Sequence, residues 1–218
     1  MFGANGMVGG GVVLECLEDP GVESVLAVGR HSAGLTHPKL RELIQPDLFD
    51  LEAAVDELRG YDACFYCVGV SSLGMGEEKY RRITVALTVA VMKVLTEANP
   101  RMKLCFVSGQ GSDSTAVGRV MWARVKGEAE NYVLGLPQEA YVFRPGFIQP
   151  RKGVRSATRL YRALYALTSS LYPLLRRLFP GGVTTSVDVG RAMINAVRRG
   201  YPKRILENRD INTLAAAA

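Results

Sequence analysis

The chain has 218 residues, 48% of them hydrophobic and 22% charged, with a formal net charge of +6 at pH 7. That much apolar material fills one sizeable core, which excludes a disordered chain, and no uninterrupted apolar run reaches the roughly 20 residues that span a bilayer. No charged segment followed by an apolar stretch opens the sequence, so no secretory signal is read.

The opening residues, Met1-Phe2-Gly3-Ala4-Asn5-Gly6-Met7-Val8-Gly9, have the layout of a strand end, a glycine-rich turn and a helix start. In a dinucleotide-phosphate site, glycines so spaced make the tight turn, let the backbone approach a pyrophosphate, and pack helix on strand. The helix then offers unfilled amides and a positive dipole end to phosphate, which makes Gly3, Asn5, Gly6, Met7, Val8 and Gly9 candidate binding residues. Only Met1 and Phe2 precede the turn, so the first strand is expected to be truncated and a central strand position partly unpaired.

A helix is predicted from Val8 to Leu17, stopped by Asp19-Pro20-Gly21. Ser24 to Arg30 is a nearly continuous apolar run of the kind found in strands covered on both faces. Leu43-Ile44-Gln45 reads as a third strand, Leu51 to Leu58 as a brief helix, and Ala63 to Val68 as a fourth strand. A long helix from Glu77 to Ala98 ends at Asn99-Pro100. Leu104 to Val107, Arg119 to Leu134 and Tyr141 to Phe143 continue the alternation as strand, helix and strand. Such alternation implies an α/β doubly wound parallel sheet, a Rossmann fold, because parallel neighbours need right-handed crossover helices. The expected organisation is one domain over residues 1–218, in which 150–218 form a small helical C-terminal part that covers a substrate cleft.

At the end of the second strand a dinucleotide site places an acidic residue for a ribose 2′-OH or an arginine for a 2′-phosphate. Here the strand ends on Gly29-Arg30, followed by His31-Ser32. This favours NADP(H) over NAD(H). A solvated loop arginine is the plainer alternative.

The four cysteines, Cys16, Cys64, Cys67 and Cys105, sit in apolar runs and read as buried free thiols suited to a reducing cytoplasm. Cys64 and Cys67 form a C-x-x-C, but in a strand residues three apart point to opposite faces, so no metal or redox site is expected. His31 and His37 lack metal-ligand spacing.

In their order, these motifs resemble the atypical short-chain dehydrogenase/reductases, the group of the Tat-interacting protein and small nucleoside-diphosphate-sugar-epimerase-like proteins. The resemblance rests on Gly3-x-x-Gly6-x-x-Gly9, Asp47-Leu48, Val68-Gly69-Val70, Val107-Ser108-Gly109, Lys126-Gly127-Glu128, Arg144-Pro145-Gly146-Phe147 and Val187-Asp188-Val189-Gly190-Arg191-Ala192. It implies that Asp47 and Leu48 hold the adenine end and that Val68, Gly69 and Val70 line the nicotinamide ribose. It further implies that Arg144, Pro145, Gly146 and Phe147 close over the nicotinamide. Asp47 also reads as a cap, and Asp188, after Thr184-Thr185-Ser186, as helix-start chemistry.

Active members of that superfamily use Tyr-x-x-x-Lys, in which the tyrosine transfers a proton while the lysine lowers its pKa and binds the ribose. The matching segment here is Trp122-Ala123-Arg124-Val125-Lys126, so an indole stands where the phenol is expected. An indole N–H donates a hydrogen bond but does not shuttle a proton. Lys126 keeps its place, and Ser108 ends its strand near the usual hydroxyl position, with Ser112, Asp113 and Ser114 following. Lys126 and Ser108 are therefore the candidate catalytic residues, while Glu128 and Glu130 read as first-turn or surface charges and are assigned no role.

No acidic residue lies between Arg151 and Val187, where Arg151, Lys152, Arg155, Arg159, Arg162, Arg176 and Arg177 fall. Leu160, Leu164, Leu167 and Leu171 recur at helical spacing. Two readings follow for residues 151–180: helices covering an unidentified small-molecule substrate, or a basic face for a membrane surface or protein. No nucleic-acid module accompanies the charge. Two functions are thus expected of the chain, an NADP(H)-dependent oxidoreductase or epimerase-like enzyme lacking the tyrosine, or a non-catalytic NADP(H)-binding sensor or scaffold. The Ala-rich end carries no signal.

Overall fold

The computed structural model describes residues 1–150 and 181–217. In chain order the elements begin α1 (Met7–Glu18), β1 (Val25–Gly29), β2 (Leu40–Ile44) and β3 (Ala63–Tyr66). They continue α2 (Glu77–Arg81), α3 (Leu87–Ala98), β4 (Lys103–Val107), α4 (Met121–Leu134), β5 (Ala140–Arg144) and β6 (Phe147–Gln149). Beyond residue 180 come β7 (Val183–Thr185), α5 (Ser186–Arg199), β8 (Ile205–Glu207) and α6 (Asn208–Ala215).

Every strand pair is parallel: β1 with β2, then β3, β4, β5 and β8 side by side, and separately β6 with β7. The two larger groups join through Phe2, which bridges Val28 on one side and Tyr66 on the other. Phe2 donates its N–H to Phe65 O at 2.9 Å, while Met1 O accepts from Val28 N at 2.8 Å and Phe2 O from Cys67 N at 3.0 Å. Two residues thus hold the expected short central strand. Beneath them a cleft of about 340 Å³ opens between the ends of β1 and β3, lined among others by Cys16, Leu26, Phe65 and Arg198.

Helices cover both faces of the sheet, so each strand feeds two cores. Leu51, Leu58, Val91, Met92, Leu95 and Val133 fill one side. Val12, Val13, Cys16, Val189, Met193 and Ile211 fill the other. The C-x-x-C divides as strand geometry requires: Cys64 lies in the first core and Cys67 packs against the second. All four cysteines are free. Burial pushes the Cys16 and Cys64 thiols up to about 12 and about 11. Where α1 crosses α5, a Cβ on Gly11 would lie 2.3 Å from Ser186 Cβ and one on Gly190 2.8 Å from Glu15 Cγ, so the glycines set how closely the helices approach.

Several elements differ from the sequence expectation. The helix predicted from Leu51 to Leu58 is a 3-10 turn over Glu52–Ala54. Leu51 and Leu58 are buried at its two ends, but so short a segment gains too few hydrogen bonds to offset nucleation. The long helix from Glu77 is interrupted by a π-turn at Arg82–Ala86. Before the Ala-rich end, α6, which no sequence expectation covered, buries Asn208, Ile211 and Leu214. Thr185 caps α5 by accepting from Asp188 N at 2.9 Å, which fits the helix-start reading of Asp188. The basic stretch from Arg151 to Arg177 lies outside the described residues.

Candidate functional site

In the glycine turn between Phe2 and α1, Gly3 and Gly9 leave no room for a side chain. Gly3 has φ +83°, and a Cβ there would sit 2.7 Å from the Cys67 carbonyl. Gly6 N–H donates to Gly3 O at 3.0 Å and closes the turn. A Cβ on Gly9 would lie 2.0 Å from that same oxygen. Gly6 is the N-cap of α1 and no side chain caps the helix, so the first-turn amides of Met7, Val8 and Gly9 remain available to an anion. Asn5 turns sideways and donates to His31 O and Ser32 O, both at 2.8 Å, which ties the turn to the loop after β1.

That loop begins at exposed Arg30. Its donors converge on Glu42 of β2: Ser32 Oγ donates to Glu42 Oε2 at 2.7 Å and Ala33 N to Oε1 at 2.6 Å. After β2, Asp47 Oδ1 accepts from Phe49 N at 2.9 Å, forming a turn and not a helix cap, and Leu48 is buried. Val68, Gly69 and Val70 follow β3, with Val70 exposed.

On the same carboxyl edge of the sheet as the glycine turn, with β3 between them, the loop after β4 meets α4. Ser112 Oγ donates to Gly109 O at 2.8 Å and lies 2.9 Å from Ser108 Oγ. Since the one Ser112 proton is used on Gly109, Ser108 is the donor within the pair. Trp122 and Lys126, one helical turn apart, reach the same loop. A Cβ on Gly111 would lie 3.3 Å from the Trp122 ring, and one on Gly109 3.9 Å from Lys126 Cε. Burial lowers the Lys126 pKa from its ordinary value, with the Glu130 charge opposing the shift.

The sign for Lys126 is the reverse of a paired lysine. With the folded pKa below the unfolded one, the ammonium costs the fold stability at every pH below the folded value. The cost fades as pH rises through that value towards the unfolded one. Lys126→Met is therefore expected to raise Tm at neutral pH by about 2–4 °C while weakening nucleotide binding; thermal melts beside a titration check both.

The Arg144 guanidinium is committed inside the protein. Its Nε donates to both Glu130 carboxylate oxygens at 3.1 Å, Nη1 to Glu207 at 3.2 Å and Nη2 to Ser114 Oγ at 2.6 Å. Glu130 is fully buried, so it is not the surface charge expected from the sequence. Glu128, by contrast, pairs with half-exposed Arg81. Beyond Pro145, Gly146 N–H donates to Asn208 Oδ1 at 2.9 Å, and a Cβ there would lie 2.3 Å from Gly182 O and 2.6 Å from Gln110 Oε1. Phe147 N–H donates to Gly182 O at 2.8 Å. The Arg-Pro-Gly segment is thus the contact between the loop after β4 and the C-terminal elements.

Sequence reasoning missed Glu42, Gln110, Glu130 and Asn208. It also missed why Gly127 follows Lys126: a Cβ there would be 1.7 Å from Asp113 O, so the loop lies directly on α4. A glycine inside a helical pattern was the available signal. Asp113 is used within that loop, accepting from Thr115 N and Gly118 N.

No protein-family model matches the chain. A curated relative, Protein fmp52, mitochondrial, from Aspergillus fumigatus, is 24% identical over 208 residues, covering 90% of this chain and 85% of that one. Among solved structures, the Bordetella bronchiseptica enzyme WbmF in complex with NAD+ matches with TM-score 0.65 and 17% identity, over 97% of this chain and 75% of that one. A short chain dehydrogenase from Burkholderia cenocepacia in complex with NADP matches with TM-score 0.64 and 15% identity, over 94% and 85%. The Thermotoga maritima UDP-glucose 4-epimerase matches with TM-score 0.62 and 16% identity, over 89% and 71%. The chain has the doubly wound Rossmann fold of these solved structures.

Proposed function

We propose that the chain binds NADP(H) across the glycine turn and serves an oxidoreductase or epimerase-like reaction of the atypical short-chain class. The observation that carries this reading is the convergence of Trp122 and Lys126 on the loop after β4, at the same carboxyl edge of the parallel sheet as the glycine turn. The cradle fits a dinucleotide: Gly3 and Gly9 leave no room for a Cβ, and the uncapped first turn of α1 supplies amides. The bound nicotinamide would supply hydride transfer.

The protein's own share follows from its side chains. Lys126 holds ribose hydroxyls, with its pKa lowered by burial. Ser108, whose proton goes to Ser112, is left to accept a hydrogen bond from a substrate hydroxyl. Trp122 would donate a hydrogen bond but moves no proton, so the oxygen of a carbonyl that takes the hydride would be protonated by water. The Asp47-Leu48 and Val68 to Val70 segments end β2 and β3 on the side of the glycine turn, where the adenine and nicotinamide ribose would lie. Pro145, Gly146 and Phe147 are the backbone that approaches the nicotinamide, with Arg144 fixing their base.

Trp122 is the single tryptophan of the chain, so energy transfer from it to bound NADPH reports binding directly. Arg30→Asp is expected to weaken NADPH about tenfold or more and NADH little, since a like charge replaces the phosphate partner. Equal losses for both nucleotides contradict the 2′-phosphate assignment. Oxidation of NADPH with a carbonyl panel distinguishes an enzyme from the second reading, a nucleotide-dependent scaffold, which the indole at position 122 favours. For a scaffold that uses residues 151–180 on a membrane, binding proceeds without turnover and vesicle sedimentation falls with salt. Four free thiols support a reducing, cytoplasmic setting, which fractionation of the full chain tests.

A further inference from the structure

Resting on the cofactor reading above, we infer that Glu42 occupies the 2′-phosphate position from within the protein and thereby sets the nucleotide preference. The loop from Arg30 to Gly34 is organised as an anion receptor. Ser32 O–H and Ala33 N–H grip the two Glu42 oxygens at 2.7 and 2.6 Å. Gly34 N–H donates to Ser32 Oγ at 2.9 Å, which polarises that hydroxyl towards the carboxylate, and Gly34 takes φ +68° to turn the loop back. Asn5 holds the same loop by its His31 and Ser32 carbonyls, so the receptor is fixed relative to the phosphate cradle of Gly3 to Gly9.

Two features separate this arrangement from an ordinary loop staple. Among the described residues, no cation lies within ion-pair distance of Glu42, so its carboxylate is held by neutral donors alone. Arg30, at the mouth of the same loop, is exposed and forms no ion pair among the described residues. A neutral donor pair with a free guanidinium beside it matches a phosphate monoester better than a carboxylate. A ribose 2′-phosphate and the Glu42 carboxylate compete for the same O–H and N–H, and both are anions. A ribose 2′-OH has no such conflict, because it donates to a carboxylate. Arg30 draws NADPH in and Glu42 opposes it; the preference is their balance.

The test is nucleotide affinity, read by Trp122 fluorescence with the full chain, for the wild type, Glu42→Gln and Glu42→Asp. Glu42→Gln removes the charge, keeps one acceptor oxygen for Ala33 N–H, and turns its NH2 towards Ser32 Oγ, which can accept. It is expected to tighten NADPH about tenfold, leave NADH within about twofold, and show a smaller gain at high salt. Glu42→Asp keeps the charge and is expected to stay near the wild-type ratio. An equal change for both nucleotides, or none for NADPH, overturns the inference while leaving the cofactor reading in place. Binding of neither nucleotide by the wild type overturns both. Glu42 is exposed, so the thermal stability of the variants should match the wild type and certify the comparison.

Discussion

Arg144→Ala should destabilise the protein by about 3–5 kcal/mol, because it strands a fully buried carboxylate. Glu130 is 0% exposed and takes both Arg144 Nε and Nη2, so no water replaces the lost guanidinium without opening α4 from β5. Glu207 and Ser114 lose the same partner, which loosens the entry to α6 and the loop lying on Gly127. In a chain of this length the loss corresponds to a fall in Tm of roughly 10 °C or more in a thermal melt. The discriminating control is the double change Arg144→Met with Glu130→Met. Removing both charges leaves no buried ion, and most of the stability should return. If the single and double variants melt together, the pair does not act as a unit and the explanation is wrong.

Gly9→Ala has the largest expected effect on binding. Its methyl group would stand 2.0 Å from Gly3 O and 2.7 Å from Gly3 C, and neither belongs to a side chain that swings aside. Either α1 slides outward or the turn at Gly3 opens. Gly3, however, is held against the Cys67 carbonyl, and Phe2 just before it bridges β1 and β3. Displacing α1 should cost about 1–3 kcal/mol of stability. The amides of Met7, Val8 and Gly9 move with the helix, so nucleotide affinity should fall about a hundredfold or more, because a misplacement of about 1 Å removes the phosphate contacts together. A titration of the variant at a temperature where it remains folded separates the two effects. Unchanged affinity would mean that the cradle does not hold a phosphate.

Much of this architecture was legible because the signals are local. Val25 to Val28 and Leu104 to Val107 are buried without a break, and an uninterrupted apolar run is what a strand covered on both faces must show. The glycine turn declared itself because left-handed backbone and close approach exclude other residues within nine positions of chain. The Thr185 cap of α5 was readable for the same reason. The three-residue strands β6, β7 and β8 were not, since three residues carry no period, and each exists only because a partner from a distant part of the chain supplies its hydrogen bonds.

By itself the sequence determined the class of fold, the glycine turn at Gly3 to Gly9, and the placing of Trp122 one helical turn before Lys126. These depend on neighbours within a turn or a strand. Only the tertiary structure decided what the charges do. Glu130 and Glu128 are two residues apart on α4, yet one is sealed against Arg144 and the other meets half-exposed Arg81, because successive helical positions rotate from the sheet towards solvent. Glu42 carries no mark distinguishing it from its exposed neighbour Arg41. Only the fold of the loop after β1 back over β2 brings Ser32 and Ala33 to the Glu42 carboxylate.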